Sequence, residues 1–152
     1  MLNVSIRKAV EKDKDILFKW FNNEEDLIYK IKTKSKISFN EHSLWFSNIL
    51  SDSRSFLWII ESKKNLLGQI RLDHIKGKDY EIDIYIEKKF RGMNIATQAL
   101  IQVEKKLSNK CVIISKVKKN NLASLKFFQA SNFVIFSDDK VTWLLKKKIK
   151  II

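Results

Sequence analysis

Proline is absent from the 152 residues, glycine occurs three times and cysteine once. A lone cysteine, Cys111, closes no internal disulfide, so nothing in the thiol count points to an oxidising compartment. It stands in the apolar run Cys111-Val112-Ile113-Ile114, where an inert buried thiol is the expected reading against a nucleophile. Long apolar runs are missing too. No stretch approaches the roughly 20 residues that span a bilayer, and the amino terminus reaches charge at Arg7, too soon for a secretory signal. A soluble cytoplasmic protein is expected. Histidine is scarce: His42 and His74, with no cysteine nearby, make no metal site.

What remains is a chain for one globular domain over residues 1–152, with 45% hydrophobic and 11% aromatic residues. The formal net charge is +13. Most of it is lysine spread along the chain, grouped only at Lys146, Lys147, Lys148 and Lys150. Two readings stay open, a solvated surface and an anionic partner. No nucleic-acid-binding motif accompanies the charge, so nucleic acid is not expected as the partner.

Leu2 to Arg7 alternates apolar and polar residues and predicts a strand. Ile16, Leu17, Trp20 and Phe21 fall at helical spacing within Asp13 to Asn22. Asn23 to Lys36 is charged and poorly patterned, a short helix and a loop. Ser38 and Glu41 have capping-box spacing and open a helix through Leu50. The period then changes to two. Ser55 to Glu61, Leu66 to His74 and Tyr80 to Ile86 predict an antiparallel meander turning at Lys63-Lys64-Asn65 and Gly77-Lys78-Asp79. On the second of these strands Leu67, Gln69, Arg71 and Asp73 alternate against Gly68, Ile70, Leu72 and His74. On the third, Ile82, Ile84 and Ile86 face one way and Glu81, Asp83 and Tyr85 the other. A helix over Asn94 to Leu107, a strand over Val112 to Val117, and a helix over Asn121 to Ala130 with Leu122, Leu125 and Phe128 inward come next. Phe133 to Phe136 and Val141 to Leu145 form a hairpin. The order βααβββαβαββ is an α+β domain, a mixed and mostly antiparallel sheet flanked by helices, with one parallel crossover from Asn94 to Val112.

The segment that carries chemistry runs from Tyr80 to Leu100. A strand entering a helix through the small-residue turn Arg91-Gly92-Met93-Asn94-Ile95-Ala96-Thr97 leaves backbone N–H groups unpaired and pointing one way, which is an anion site. An ordinary strand-to-helix turn is the alternative. Arg91-Gly92-Met93-Asn94-Ile95-Ala96 resembles the pyrophosphate signature of the GNAT superfamily of N-acetyltransferases, Gln/Arg-x-x-Gly-x-Gly/Ala. Asn121-Leu122-Ala123-Ser124-Leu125-Lys126-Phe127-Phe128 with Asn132-Phe133 resembles the family's Asn-x-x-Ser-x-x-x-Tyr…Gly-Phe segment. The likeness spans nearly the whole chain.

The resemblance implies acetyl-CoA as acyl donor. Ile84, Tyr85 and Ile86 would pair through their backbone with the pantetheine arm beside a splayed sheet. The amides of Arg91, Gly92, Met93, Asn94, Ile95, Ala96 and Thr97 would hold the pyrophosphate, with Arg91 adding a cation. Asn121 would bond the cofactor arm, and Ser124 or Lys126 would help at the phosphates. It also implies a homodimer paired through the last strands. Three positions depart from the pattern. Asn94 and Asn132 replace glycines, asparagine being the best substitute where φ is positive. Phe128 replaces the tyrosine credited as general acid, and phenylalanine has no proton to donate, so another donor or solvent protonates the thiolate, or this is a non-catalytic acyl-CoA-binding domain.

An amine must lose a proton during acyl transfer. Glu81 comes first and Asp83 second as the base, on one strand face about 7 Å apart, against the alternative that both pair with neighbouring lysines. Trp20, His42, Trp45 and Arg71 are candidate acceptor contacts. Tryptophans can stack on a sugar or base, or fill the core, and His42 can line a pocket or sit at a helix surface. The segments around Trp20, around His42 and Trp45, and Gly68 to Asp73 resemble the GNAT branch that acetylates nucleotide-linked amino sugars, as in pseudaminic-acid pathways. Ribosomal-protein amino-terminal acetyltransferases look similar there. A small anionic amine substrate, with Arg71 or lysines on its phosphates, follows from the first likeness.

Overall fold

The computed structural model describes residues 2–23, 26, 29, 36–63, 65–107 and 110–149. Eleven elements follow in the order strand, two helices, three strands, helix, strand, helix, two strands: β1 (Ser5–Lys8), α1 (Lys14–Phe21), α2 (Phe39–Ser51), β2 (Phe56–Ser62), β3 (Asn65–Lys76), β4 (Asp79–Ile86), α3 (Ile95–Lys106), β5 (Cys111–Lys118), α4 (Leu122–Ala130), β6 (Val134–Asp138) and β7 (Thr142–Ile149). Most of the expected Asn23 to Lys36 segment lies outside the described residues, as do Lys64 in its turn and Lys150 of the basic group.

The seven strands form one sheet in the order β1-β2-β3-β4-β5-β7-β6. Every pair is antiparallel except β4 with β5, the two strands joined through α3. Helices α3 and α4 cover one face over a core holding Ile70, Leu72, Ile82, Val103, Ile113 and Leu145. Helices α1 and α2 cover the other face, where Leu17, Trp20, Phe46 and Ile59 pack together and no residue of β5, β6 or β7 joins the cluster. Each fully buried large side chain such as Phe46 contributes about 1.5–3 kcal/mol. Among the described residues no helix is long and apolar enough to cross a membrane.

Local signals placed most elements. The Ser38 hydroxyl accepts from the Glu41 amide at 3.1 Å and starts α2. The alternation of β4 holds: Ile82, Ile84 and Ile86 meet the α3 side, and Tyr85 meets the α1/α2 cluster. Cys111 is buried, and burial, then the nearby Asp79 and Glu104 carboxylates, push its thiol up from the ordinary range.

Three expectations are corrected. The first strand pairs only from Ser5, opposite Glu61; Leu2 and Val4 are apolar because they pack into the core, not because they extend the ladder. Leu67 shares the α3-side core with Ile70 and Leu72, although alternation puts it with Gln69. A bulge between Ile60 and Glu61, which oppose Gly68 and Leu66, slips the register there. Leu122 is 57% exposed rather than inward, because it opens α4 one turn ahead of the rows in which Leu125 and Phe128 pack.

Candidate cofactor and acceptor site

The pairing of β4 with β5 is short: Asp79 with Val112, Tyr80 with Ile113 and Glu81 with Ile114. On its other side β4 stays paired with β3 as far as Ile86 opposite Gly68. From Ile82 to Ile86, therefore, the β5-facing edge of β4 has no ladder partner among the described residues. Such an edge is a template for an extended ligand. Gly68 is what lets β3 close on it from behind: a Cβ at this position would stand 2.0 Å from the Tyr85 carbonyl oxygen.

Beyond Ile86 the chain makes a single 3₁₀ turn, Lys88–Phe90, and the Arg91 amide bonds the Lys88 carbonyl at 3.2 Å. Gly92 follows at φ 78° and Asn94 at φ 62°, ψ 22°, so the glycine-replacing asparagine does occupy the left-handed region. Asn132, the other such replacement, has φ 72°. The first bond of α3 runs from the Gln98 amide to the Asn94 carbonyl, 3.3 Å. Between these, the amides of Gly92, Met93, Asn94, Ile95, Ala96 and Thr97 have no acceptor among the described residues. Among the described residues, apart from its chain neighbours, nothing lies within 4 Å of where a Gly92 Cβ would stand. An exposed row of main-chain donors opens a helix of 12 residues, its positive dipole end directed at the same place. These residues fit a diphosphate.

The Arg91 side chain does something else. Its guanidinium bonds both carboxylate oxygens of Asp26, at 2.9 and 3.2 Å, and its Nε donates to the Ile86 carbonyl at 2.8 Å. It also lies over the Tyr85 ring, 5.4 Å from the centroid. The charge expected at phosphate instead clamps the end of β4, which leaves the amides, rather than this cation, as the candidate anion donors. At the second motif the Asn121 carboxamide oxygen accepts from the Ser124 amide at 3.2 Å, capping α4. Only its amide nitrogen is left for a cofactor arm. Phe128 is buried edge-to-face with Phe127 and Phe133, both at 5.0 Å, a core position.

The acceptor candidates separate. Trp20 and His42 are buried in the α1/α2 layer and reach no surface. His42, Phe46 and Ile49 form the inward row of α2. The His42 Nε2 meets the Lys14 carbonyl at 2.9 Å, which makes Nε2 the protonated nitrogen, and four aromatic rings surround it within 6.1 Å. Burial first, partly offset by that carbonyl, holds the imidazole below its ordinary range and so neutral. For Trp20 the core alternative holds rather than stacking on an acceptor, and His42 is packed in the layer rather than lining a pocket or sitting at the helix surface. Trp45 and Arg71 remain partly exposed, the Arg71 side chain at 19%. The Arg71 guanidinium lies 5.5 Å from the Trp45 centroid and 5.9 Å from that of Phe21, bonds Asp73 at 3.0 Å and stands 3.9 Å from Asp83. Burial opposes its charge, but Asp83 and Asp73 outweigh burial and raise its pKa.

Glu81 and Asp83 point to this same side of the sheet. The expected lysine pairing is found at one of them: Lys116 reaches Glu81 at 3.2 Å, and the Glu81 side chain is 19% exposed. Asp83 is 51% exposed and accepts instead from the Gln69 carboxamide at 2.8 Å. Gln69, Tyr85 as a ring and Asp26 escaped the sequence reading. The alternation did put Gln69 on the Arg71 side, but the Gln69–Tyr85 and Arg71–Asp83 rungs needed the register.

Comparison with known proteins gives this geometry a context. Residues 3–134 match the family described as Acetyltransferase (GNAT) domain. A curated protein of Campylobacter jejuni named Acetyltransferase PseH is 28% identical over 129 residues, 82% of this chain and 79% of the relative. The crystal structure of C. jejuni N-acetyltransferase PseH superposes with TM-score 0.73 at 20% identity, covering 97% of this chain and 99% of that one. A spermidine N-acetyltransferase from Vibrio cholerae, solved in complex with CoA and spermine, has TM-score 0.83 at 17% identity, covering 96% and 95%.

Proposed function

Since the chain belongs to the GNAT acetyltransferase family and is an acetyl-CoA-dependent N-acetyltransferase, we propose that its acceptor is the primary amine of a nucleotide-linked amino sugar, attacked directly. The observation that carries the cofactor half is the row of unpartnered amides from Gly92 to Thr97 beside the unpaired edge of β4. The acceptor half rests on the curated relative named PseH and on the segments around Trp45 and Arg71 that resemble the amino-sugar branch.

Bound acetyl-CoA supplies a thioester carbonyl for attack and a thiol as leaving group. The chain's own residues do the rest. Gly92 to Thr97 anchor the diphosphate, and the β4 edge at Ile84 and Tyr85 aligns the arm. Asn121 Nδ2 donates to that arm, with Ser124 one turn behind it. The open side of Glu81 and Asp83 receives the amine. With Phe128 carrying no proton, solvent protonates the departing thiolate. Arg71 is held by two aspartates, so the acceptor's phosphates fall to exposed lysines of the β5–β7 face, Lys146 and Lys148. Pairing of two copies through β6, whose Val134, Ile135 and Phe136 are exposed, belongs to this reading, and light scattering measures it.

A panel of amines with acetyl-CoA, followed by thiol release, tests the proposal. Release with UDP-4-amino sugars supports it. Release with peptide amino termini or polyamines alone moves the acceptor class, and tight CoA binding without turnover on any amine ends the catalytic reading.

A further inference from the structure

Two carboxylates flank the fork between β4 and β5, and their surroundings differ. Glu81 sits on the last paired rung, opposite Ile114, and is held to Lys116. Asp83 is the next residue on that face, past the point where β5 departs. Its Oδ2 takes the Gln69 bond at 2.8 Å and faces Arg71 at 3.9 Å, while its Oδ1 has no hydrogen bond among the described residues. Gln69 is 0% exposed, and its Oε1 is buried without a partner. A buried carboxamide normally has both ends satisfied, and an unmet acceptor carries a desolvation cost. The arrangement leaves Gln69 with one strong bond, donated to a half-exposed carboxylate beside the fork.

Resting on the proposed acetyl transfer, we infer that Asp83 rather than Glu81 takes the acceptor's proton and that Gln69 is its positioning residue. The Gln69 N–H fixes Oδ2 and stabilises the ionised carboxylate, which turns Oδ1 to the open side of the sheet. In the transfer a C–N bond forms and the thioester C–S bond breaks. The nitrogen proton goes to Asp83 Oδ1, and the thiolate leaves and is protonated by solvent. The charged and titratable groups around Asp83 are Arg71 and Asp73 on β3, Glu81 and Tyr85 on β4, and Lys116 on β5 through Glu81. From α1 and α2 the facing groups at Arg71 are the uncharged rings of Phe21 and Trp45.

Gln69→Leu keeps the volume and removes the donor. Loss of a hydrogen bond to a charged group predicts about a tenfold drop in kcat. KM for acetyl-CoA stays unchanged. Asp83→Asn lowers kcat by about 10²–10⁴-fold, and adding Gln69→Leu to it changes nothing more, because the first change has already removed what Gln69 acts on. Additive losses, or a larger loss in Glu81→Gln than in Asp83→Asn, overturn the inference while leaving acetyl transfer standing. Should Gln69→Leu not fold, Gln69→Met repeats the test. A readout free of the acceptor is the NMR signal of the Gln69 carboxamide in the CoA-bound protein. It moves in Asp83→Asn and stays in place in Glu81→Gln. A signal that ignores Asp83 refutes the pairing.

Discussion

Substituting Asn94 isolates the contribution of the cofactor turn. At φ 62°, ψ 22° the residue lies in the left-handed region, and no side-chain cap bond holds it there. For an L-residue with a Cβ that region costs about 1–2 kcal/mol, less for asparagine and nothing for glycine. Asn94→Ala should therefore cost about 1 kcal/mol relative to the natural residue. Where the turn relaxes in the free protein, CoA must restore it, and affinity falls about fivefold. Where the fold keeps the turn rigid, the same amount appears as a melting temperature lower by about 2–4 °C for a domain of this size. Asn94→Gly moves neither quantity by more than a few tenths of a kcal/mol. Calorimetric titration with CoA and with pantetheine, plus thermal unfolding, separates these outcomes. Pantetheine lacks the diphosphate, so its weaker binding should not respond to position 94. An alanine variant that matches the natural protein in both CoA affinity and melting temperature refutes the reasoning, as does a pantetheine affinity that falls in parallel with that for CoA.

Gly68→Ala places a Cβ 2.0 Å from the Tyr85 carbonyl oxygen, and all three nearest atoms are β4 backbone that cannot swing away, so β3 must leave β4. The expected result is loss of the cooperative thermal transition, and a stable, CoA-binding variant would contradict it. Asp13 is buried. Burial opposes its charge, but the Arg7 guanidinium at 2.8 and 2.9 Å and the Val10 amide outweigh burial and hold its carboxyl below the usual range. A depressed carboxyl contributes stability that is present above its unfolded pKa, near 4, and is lost as pH falls through the lower folded value. In Arg7→Met, breaking this pair should destabilise by about 3 kcal/mol at neutral pH, and the loss should shrink below pH 4 in urea titrations. Phe128→Tyr puts a hydroxyl into a core position between Phe127 and Phe133. It should lower stability by about 1–3 kcal/mol without raising turnover, which unfolding and steady-state rates measure.

The strand β4 was legible because a period of two survives burial on both sides: Ile82, Ile84 and Ile86 could only share one face. Asn94 was legible through the resemblance, since it stands where the GNAT pattern has glycine, and asparagine tolerates the positive φ found there. His42 was misplaced, and Trp20 left between core and acceptor contact, because helical spacing gives a face but not its depth. The row His42, Phe46 and Ile49 reads equally as a pocket wall or a core seam until β2 is laid against it. Arg91 was assigned to phosphate from its neighbours in sequence, yet its partner Asp26 is 65 residues away, in a segment with no periodic pattern.

Alone, the amino-acid order determined the alternating faces of β4, the α+β order of elements and the donor-rich turn after Phe90, since each depends on contacts within a few residues. Which carboxylate is held by lysine and which by a buried amide was decided only in three dimensions. The rungs Gln69–Tyr85 and Arg71–Asp83, together with the departure of β5 after Glu81, exist only once three strands share a register. A slip of one residue would exchange every side chain between the two faces of the sheet.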